Sequence, residues 1–203
     1  MKIDLHVHAS ERSGCSISSE EEIIAMAKTR GLNAIAFTDH ERLVPTARLA
    51  ELNRLHSPFR IFSGIEIHTA EEEDILVFGI QDQKLESMTW PYADLHRFVR
   101  ARNGFMVLAH PYRYRETINV DIARYRPDAV EARSSNIRPQ ITPRILQAAE
   151  TLSCAILFAS DTHNARDIGT FHIELETEAE SDQALVSLLR ARRFSCRTLQ
   201  ATS

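Results

Sequence analysis

Histidines and acids recur in this chain in short sets whose spacing suits metal ligation. "DLHVH" places His6 and His8 two residues apart, and "FTDH" ends in Asp39 and His40. "GIEIH" carries Glu66 and His68, "LAHP" supplies His110, and "SDTH" supplies Asp161 and His163. Residues two apart on a strand point to the same side. His6 with His8, Asp161 with His163, and Glu66 with His68 can therefore each aim a pair of ligands at one place, provided their strands persist that far. Imidazole nitrogen combined with carboxylate oxygen suits zinc, manganese or iron and does not suit calcium. Without a metal, the same gathering would carry charge repulsion and desolvation for no gain.

Each set alone is unspecific. An H-x-H also occurs as a structural or surface pair, a histidine before proline can simply end a strand, and "DH" or "SDTH" can be turn chemistry. Their joint occurrence, each at the end of an apolar run, carries the metal reading. Asp4 has the parity to face inward below His6 and orient an imidazole, and Asp39 is placed in the same supporting role. His68 is either an additional ligand or a side chain at the mouth of the site. His56 and His96 fall in helical patterns and His172 in a late strand; these three read as structural or exposed.

The elements that must carry these residues alternate in type. Strand patterns occur in "IDLHVHA", "NAIAFTDH", "FRIFSGIEIH", "EDILVFGI", "FMVLAHP", "PDAVEARSS", "CAILFASDTH" and "FHIELE". In the first, Ile3, Leu5 and Val7 alternate with Asp4, His6 and His8, as on a strand with one apolar face packed against helices. Helical patterns occur in "SSEEEIIAMAKTRG", "PTARLAELNRL", "WPYADLHRFVRARNG", "TPRILQAAETL" and "DQALVSLLRAR". Ser19 can cap the first helix with Glu22 three residues on, and Gly31 closes it. Thr142 is expected to cap the fourth, with Pro143 at its first position. This alternation predicts an α/β fold with a mainly parallel sheet, whose active site gathers at the carboxyl ends of the strands.

With 203 residues, 43% of them hydrophobic, the chain can fill one core and is too short for two comfortable enzyme domains, so residues 1–203 are read as a single domain. A formal charge of −4 gives no general attraction to polyanions or anionic membranes, which disfavours bulk nucleic acid as a partner but not a small nucleotide. Cys15, Cys154 and Cys196 are an odd number without framework spacing, which reads as reduced thiols of a cytoplasmic protein. No signal-peptide pattern and no apolar run of membrane-spanning length is visible. The G-x-G-x-x-G, P-loop and G-x-S-x-G fingerprints are absent. Oligomeric state has no signature here.

Taken in order, "DLHVH", "AIAFTDH", "GIEI", "LAHP" and "SDTH" resemble the polymerase and histidinol phosphatase (PHP) family of metal-dependent phosphoesterases. The resemblance runs from Asp4 to the "DIG" at 167–169 and the closing helix. It implies a distorted (β/α)7 barrel with two or three divalent ions (Zn, Mn or Fe) at its C-terminal face. It further implies that His6, His8 and Asp161 hold one ion, that Glu66 bridges to a second also bound by His110, and that His40 and His163 hold a third or contact phosphate. Glu131 falls where many relatives have an acid followed by asparagine; here Asn136 lies further on. Many relatives continue the first motif as H-x-x-x-S-D-G, whereas this chain has Ser13 near the aspartate position, with Glu11 and Cys15 as substitutes within reach. Leu76 stands near a position where many relatives have histidine, and His68 could partly compensate.

The chemistry so implied is hydrolysis of a phosphate mono- or diester on a small substrate such as a nucleotide or other phosphometabolite. Two ions about 3.5–4 Å apart would clamp the oxygens of an in-line displacement. Glu66 would hold that separation, while His40 or His163 would stabilise the phosphoryl group or protonate the leaving oxygen. Arg113, Arg115, Arg133 and Arg138 are candidate phosphate-binding groups, with Arg12 and Arg42 further outside choices. Two rival readings remain: an amidohydrolase-type metal hydrolase, which would need a metal-bridging lysine that has no obvious place here, and a metal-binding module without catalysis.

Overall fold

The computed structural model describes residues 1–199. Its strands are β1 (Lys2–Val7), β2 (Ala34–Phe37), β3 (Arg60–His68), β4 (Asp74–Phe78), β5 (Phe105–Leu108), β6 (Ala129–Arg133), β7 (Ala155–Phe158), β8 (Phe171–Leu175) and β9 (Phe194–Thr198). Its α-helices are α1 (Glu20–Thr29), α2 (Thr46–His56), α3 (Tyr92–Ala101), α4 (Thr142–Leu152) and α5 (Asp182–Arg190). The strands form one sheet in the order β7-β6-β5-β4-β3-β2-β1-β8-β9. β4 is antiparallel to both its neighbours, as is β8; β1, β2, β3, β5, β6, β7 and β9 share one direction. The mainly parallel α/β sheet is thus present, with β9 as a strand the sequence patterns did not reveal.

The sheet curls until its first and seventh strands meet at one end. Past β7, Thr162 donates its amide to His6 O at 3.0 Å, and His8 donates to Thr162 O at 2.9 Å. These two bonds nearly close β1–β7 into a barrel at the carboxyl ends, bringing the "SDTH" segment beside the two histidines of β1. Lower down, β8 and β9 occupy the gap: Ser160 Oγ donates to Phe171 O at 2.9 Å, and Cys196 Sγ to Ile156 O at 3.3 Å. The barrel is distorted because β3 and β4 form a hairpin and because β5 and β6 are joined without an α-helix.

Local sequence accounts for most boundaries. Ser19 and Glu22 form the expected capping box on α1, with Glu22 Oε2 accepting the Ser19 amide at 2.8 Å. Thr142 does not cap α4. A 3-10 turn over Pro139–Ile141 enters the helix first, and Thr142 is already helical with its hydroxyl turned to Ala132 O at 3.4 Å. At Gly64 an added Cβ would stand 2.8 Å from Phe78 Cδ1 and from Val77 O, so only glycine lets β4 pack so closely two residues before Glu66.

β1 departs from simple alternation. Asp4 pairs with Ile35 but Val7 with Phe37, so β1 carries one extra residue, a bulge. Ile3 and Leu5 consequently share the core of Leu76, Leu157 and the α5 residues Leu185 and Leu189. Val7 instead packs with Ile23, Ile24, Phe37 and Leu52 under α1 and α2. The single apolar face expected from the sequence is split in two, and the bulge falls among the residues that form the site.

Candidate metal centre

His6 and His8 leave β1 fully buried at the carboxyl end of the barrel. His6 Nδ1 donates to Glu131 Oε1 at 2.9 Å. His8 Nδ1 lies 3.4 Å from Ser13 Oγ, whose own proton goes to Asp39 Oδ1 at 2.7 Å. Each imidazole thus has its Nδ1 proton engaged, which leaves the Nε2 lone pair facing the barrel centre.

Two buried carboxylates meet those lone pairs. His6 Nε2 is 3.3 Å from Glu66 Oε2 and 3.4 Å from Asp161 Oδ1; His8 Nε2 is 3.2 Å and 3.3 Å from the same two oxygens. All four atoms are buried without a hydrogen-bond partner. Four nitrogen and oxygen ligands bonded at 2.0–2.1 Å in a tetrahedron would lie roughly 3.3–3.4 Å from one another. The four nitrogen–oxygen separations, 3.2–3.4 Å, have that size, so these residues fit a bound transition metal. Orphaned buried polar atoms in such number are otherwise costly.

The remaining histidines extend the cluster on both sides. His110 Nε2 lies 3.0 Å from Glu66 Oε1, and Glu66, His110 and Asp74 make one further group whose ligand atoms lie within 4.8 Å of one another. His8, His40 and His163 make another. The His8 ring adjoins those of His40 and His163, its centroid 4.4 Å from each, and those two centroids lie 6.1 Å apart. His40 Nδ1 is 3.0 Å from Glu66 Oε2. His40 and His163 are the accessible members, their side chains 41% and 27% exposed.

Neighbouring groups aim the carboxylates. Asp161 Oδ2 accepts from Asn136 Nδ2 at 2.8 Å and from Arg113 Nη1 at 3.1 Å, which turns Oδ1 toward the histidines. Glu131 Oε2 accepts the His110 amide at 2.9 Å while its Oε1 holds His6. Backbones at His110 (φ 25°) and Asp161 (φ 53°) occupy the left-handed region that non-glycine residues seldom enter, a strain typical of sites that need a fixed ligand direction.

The electrostatics are those of a site holding protons where a cation fits. Burial alone would lower the pKa of His6, but Asp161, Glu66 and Glu131 hold it well above the ordinary value. His110 is likewise raised to about 9, burial being overridden by its bond to Glu66. Glu66 and Asp161 are driven low despite their burial, chiefly by His6. His163, facing His8 and partly buried, is lowered.

The sequence matches the PHP domain family over residues 4–179. The chain belongs to that family. A protein of Syntrophotalea carbinolica named a probable phosphatase is 35% identical over 100 residues, a stretch covering 47% of this chain and 41% of that protein, so the match spans less than half of the relative. Among solved structures, PsfC from Pseudomonas syringae aligns at TM-score 0.74 and 21% identity, over 98% of this chain and 91% of the other. A two-domain Bacteroides vulgatus protein, described as containing a predicted PHP-like metal-dependent phosphoesterase, aligns at 0.72 and 15% identity, over 98% and 65%. An amidohydrolase of Chromobacterium violaceum aligns at 0.69 and 14% identity, over 99% of both chains. These structural likenesses establish the shared PHP-like barrel and nothing finer.

Several site expectations for this PHP chain need correction. Asp4 touches no imidazole ring. Its carboxylate accepts the amides of Ser160 (2.9 Å), Gly169 (2.8 Å) and His6 (3.3 Å), because the β1 bulge turns it away from His6's side. Asp39 does support the site, through Ser13, and also binds Arg12 Nε at 2.6 Å and the Ala9 amide at 2.7 Å. His68 is largely exposed and pairs with Asp74 at 2.7 Å, outside every group of candidate ligands. Glu11 is spent on the start of α1, both oxygens 3.1 Å from the Glu20 amide, whereas Cys15 does line the cleft. Leu76 lies in the core opposite Glu66, and Asp74 on the same strand face is the acid that reaches His110's side, at 3.9 Å. Asp74 escaped notice; its signal was its place two residues before Leu76 and across the hairpin from His68.

The arginines separate in the same way. Arg113 borders the cleft with His40, Asp74, His110, Tyr114 and His163, around a volume of ≈ 320 Å³. Arg133 instead lies over the rings of Phe158 and Phe171, at 5.9 and 5.2 Å. Arg115 pairs with Glu72 at 3.0 Å and borders an adjoining hollow with Arg138. Arg12 is locked between Asp39 and Glu20, and Arg42 faces Glu86 at 3.9 Å. Among the described residues no helix is long and apolar enough to cross a membrane.

Proposed function

We propose that this PHP protein, taken as one domain over residues 1–203, hydrolyses phosphate mono- or diesters of small molecules with two or three transition-metal ions (Zn, Mn or Fe) at the carboxyl end of its barrel. The observation that carries the proposal is the set of four orphaned buried atoms, His6 Nε2, His8 Nε2, Glu66 Oε2 and Asp161 Oδ1, each nitrogen 3.2–3.4 Å from both oxygens. Divalent ions in such a centre supply Lewis acidity toward phosphoryl oxygens and a water nucleophile usable at neutral pH.

The chain's own residues do the rest. His6, His8, Glu66 and Asp161 would hold one ion, and Glu66 would share its second oxygen with a site completed by His110 and Asp74. His40 and His163, the partly exposed neighbours of His8, would either hold a third ion or donate a proton to the leaving oxygen. Arg113, with one nitrogen on Asp161, has further N–H groups at the cleft for a phosphate. The cleft volume of ≈ 320 Å³ suits a small phosphorylated substrate rather than a polymer as such. The bridging lysine that an amidohydrolase reading needs has no counterpart, since Lys2, Lys28 and Lys84 do not border the cleft. We place the protein in the cytoplasm, where its three free cysteines would stay reduced.

The test combines metal analysis of the purified protein with a mono- and diester panel in added manganese or zinc. Hydrolysis that requires metal and disappears in Glu66→Gln and His8→Ala is expected. Retained metal without hydrolysis of any ester would instead indicate a binding module.

A further inference from the structure

At the barrel end opposite the metal centre, the carboxyl-terminal ends of α3, α4 and α5 converge on a polar cavity of ≈ 120 Å³. Arg100, Arg126, Arg190 and Arg192 all border it, with Asp128 as the one acid among its lining residues. That acid is already engaged: Asp128 Oδ1 takes Arg100 Nη1 at 2.6 Å and its Oδ2 takes the Met106 amide at 2.9 Å.

The other three guanidiniums bind backbone carbonyls, each through one nitrogen: Arg126 and Arg192 at the end of α4, Arg190 just past α3. Arg126 Nη1 donates to Leu152 O at 3.1 Å, and Arg192 Nη2 to Ser153 O at 2.5 Å. Arg190 Nη2 donates to Gly104 O at 2.8 Å and Asn103 O at 3.2 Å. Backbone carbonyls carry only partial negative charge, so they offset three full positive charges incompletely. All three arginines are exposed at the cavity's rim, and among the described residues their remaining N–H groups have no protein acceptor. Ser153 (φ 53°) and Arg192 (φ 55°) also hold left-handed backbone at the rim, where glycine would be free of strain. An arginine at such a position brings a guanidinium to the cavity that glycine could not.

We infer that the cavity bordered by Arg126, Arg190 and Arg192 is a second anion site, taking a free tetrahedral oxyanion of phosphate size. Its volume equals about four waters' share of liquid, room for one such ion and its fork-like guanidinium contacts. The site is separate from the cleft, so phosphate bound there would not compete for the metal centre.

The experiment uses inorganic phosphate on the full chain stripped of metal by chelation, at constant ionic strength set with chloride. Calorimetric titration is expected to show a phosphate site that Arg190→Gln/Arg192→Gln weakens by about 10- to 100-fold, the loss of charged hydrogen bonds. Arg113→Gln, in the cleft, is expected to leave that site unchanged. Affinity that follows Arg113 and ignores the double variant overturns the inference, as does a titration no different from chloride. Because those arginines also hold backbone carbonyls, crystals of the unaltered chain soaked in selenate give an independent reading. Selenium signal among Arg126, Arg190 and Arg192 supports the site; signal confined to the cleft refutes it.

Discussion

His6 Nδ1 and Glu131 Oε1 lie 2.9 Å apart, both fully buried, although 125 positions separate them in the chain. This contact fixes which nitrogen of His6 keeps its proton, and Glu131 simultaneously holds the His110 amide. One carboxylate thereby aligns two candidate ligands. Glu131→Gln keeps the shape but weakens the acceptor, and it is expected to lower metal affinity by about 10- to 100-fold with little loss of fold. Competition against a chromogenic chelator measures it; unchanged affinity would mean that His6 is oriented by packing alone.

Proton and metal compete at His110. In the metal-free chain its pKa stands near 9 against an ordinary 6.5, because Glu66 outweighs the effect of burial. A histidine raised on folding contributes stability in full below pH 6.5, and that contribution fades as pH climbs through 9. The lowered Glu66 and Asp161 act in the opposite sense and only in acid, outside that window. Chelated protein should therefore lose stability from neutral to alkaline pH, while metal affinity rises over the same range as the imidazoles give up their protons. Urea midpoints with and without metal check this, and a flat profile for the chelated form would refute it.

Asp39 is a structural hinge between the loop after β1 and the site. It takes the Ala9 amide, the Ser13 hydroxyl and Arg12 Nε, and is itself fully buried. Asp39→Ala leaves Arg12 partly stranded and is expected to destabilise the protein by about 3–5 kcal/mol. Ser13→Ala, by contrast, should cost about 1 kcal/mol and act mainly on metal binding through His8. Thermal denaturation of the two variants separates these effects; equal losses would contradict the assignment.

Two arginines that look equivalent in the sequence should behave differently. Arg113→Ala removes a charged donor at the cleft and is expected to raise KM for a phosphate ester by about 10- to 100-fold. Arg133→Ala removes only packing over Phe158 and Phe171. It should leave KM unchanged and lower the melting temperature modestly. Steady-state kinetics on both variants decides, and a KM effect at Arg133 would show that its ring contacts are not its whole role.

The gathering of these histidines and acids was legible in one dimension because strand ends and two-residue spacing are local properties. His6, His8, His40, Glu66, His110, Asp161 and His163 all come together at one end of the barrel, as their positions after apolar runs implied. Asp4 misled for an equally local reason: alternation assumes an unbroken pleat, and the bulge between Asp4 and Val7 breaks it. The arginines were illegible because a long, flexible side chain can turn toward a carboxylate, a ring or open solvent from the same backbone position.

What the chain order could establish was chemistry and sequence of delivery: imidazoles and acids, at strand ends, in a set resembling one family. The tertiary structure alone decided which atoms face each other. Glu131 and Asn136 acquired roles only when β6 and its loop were laid beside His6 and Asp161, and Asp74 only when β4 folded back on β3. The contact between Glu131 and His6 joins residues 125 positions apart. It depends on the closing of the sheet, through the two backbone bonds that Thr162 makes with His6 and His8, and no short stretch of residues encodes that closure.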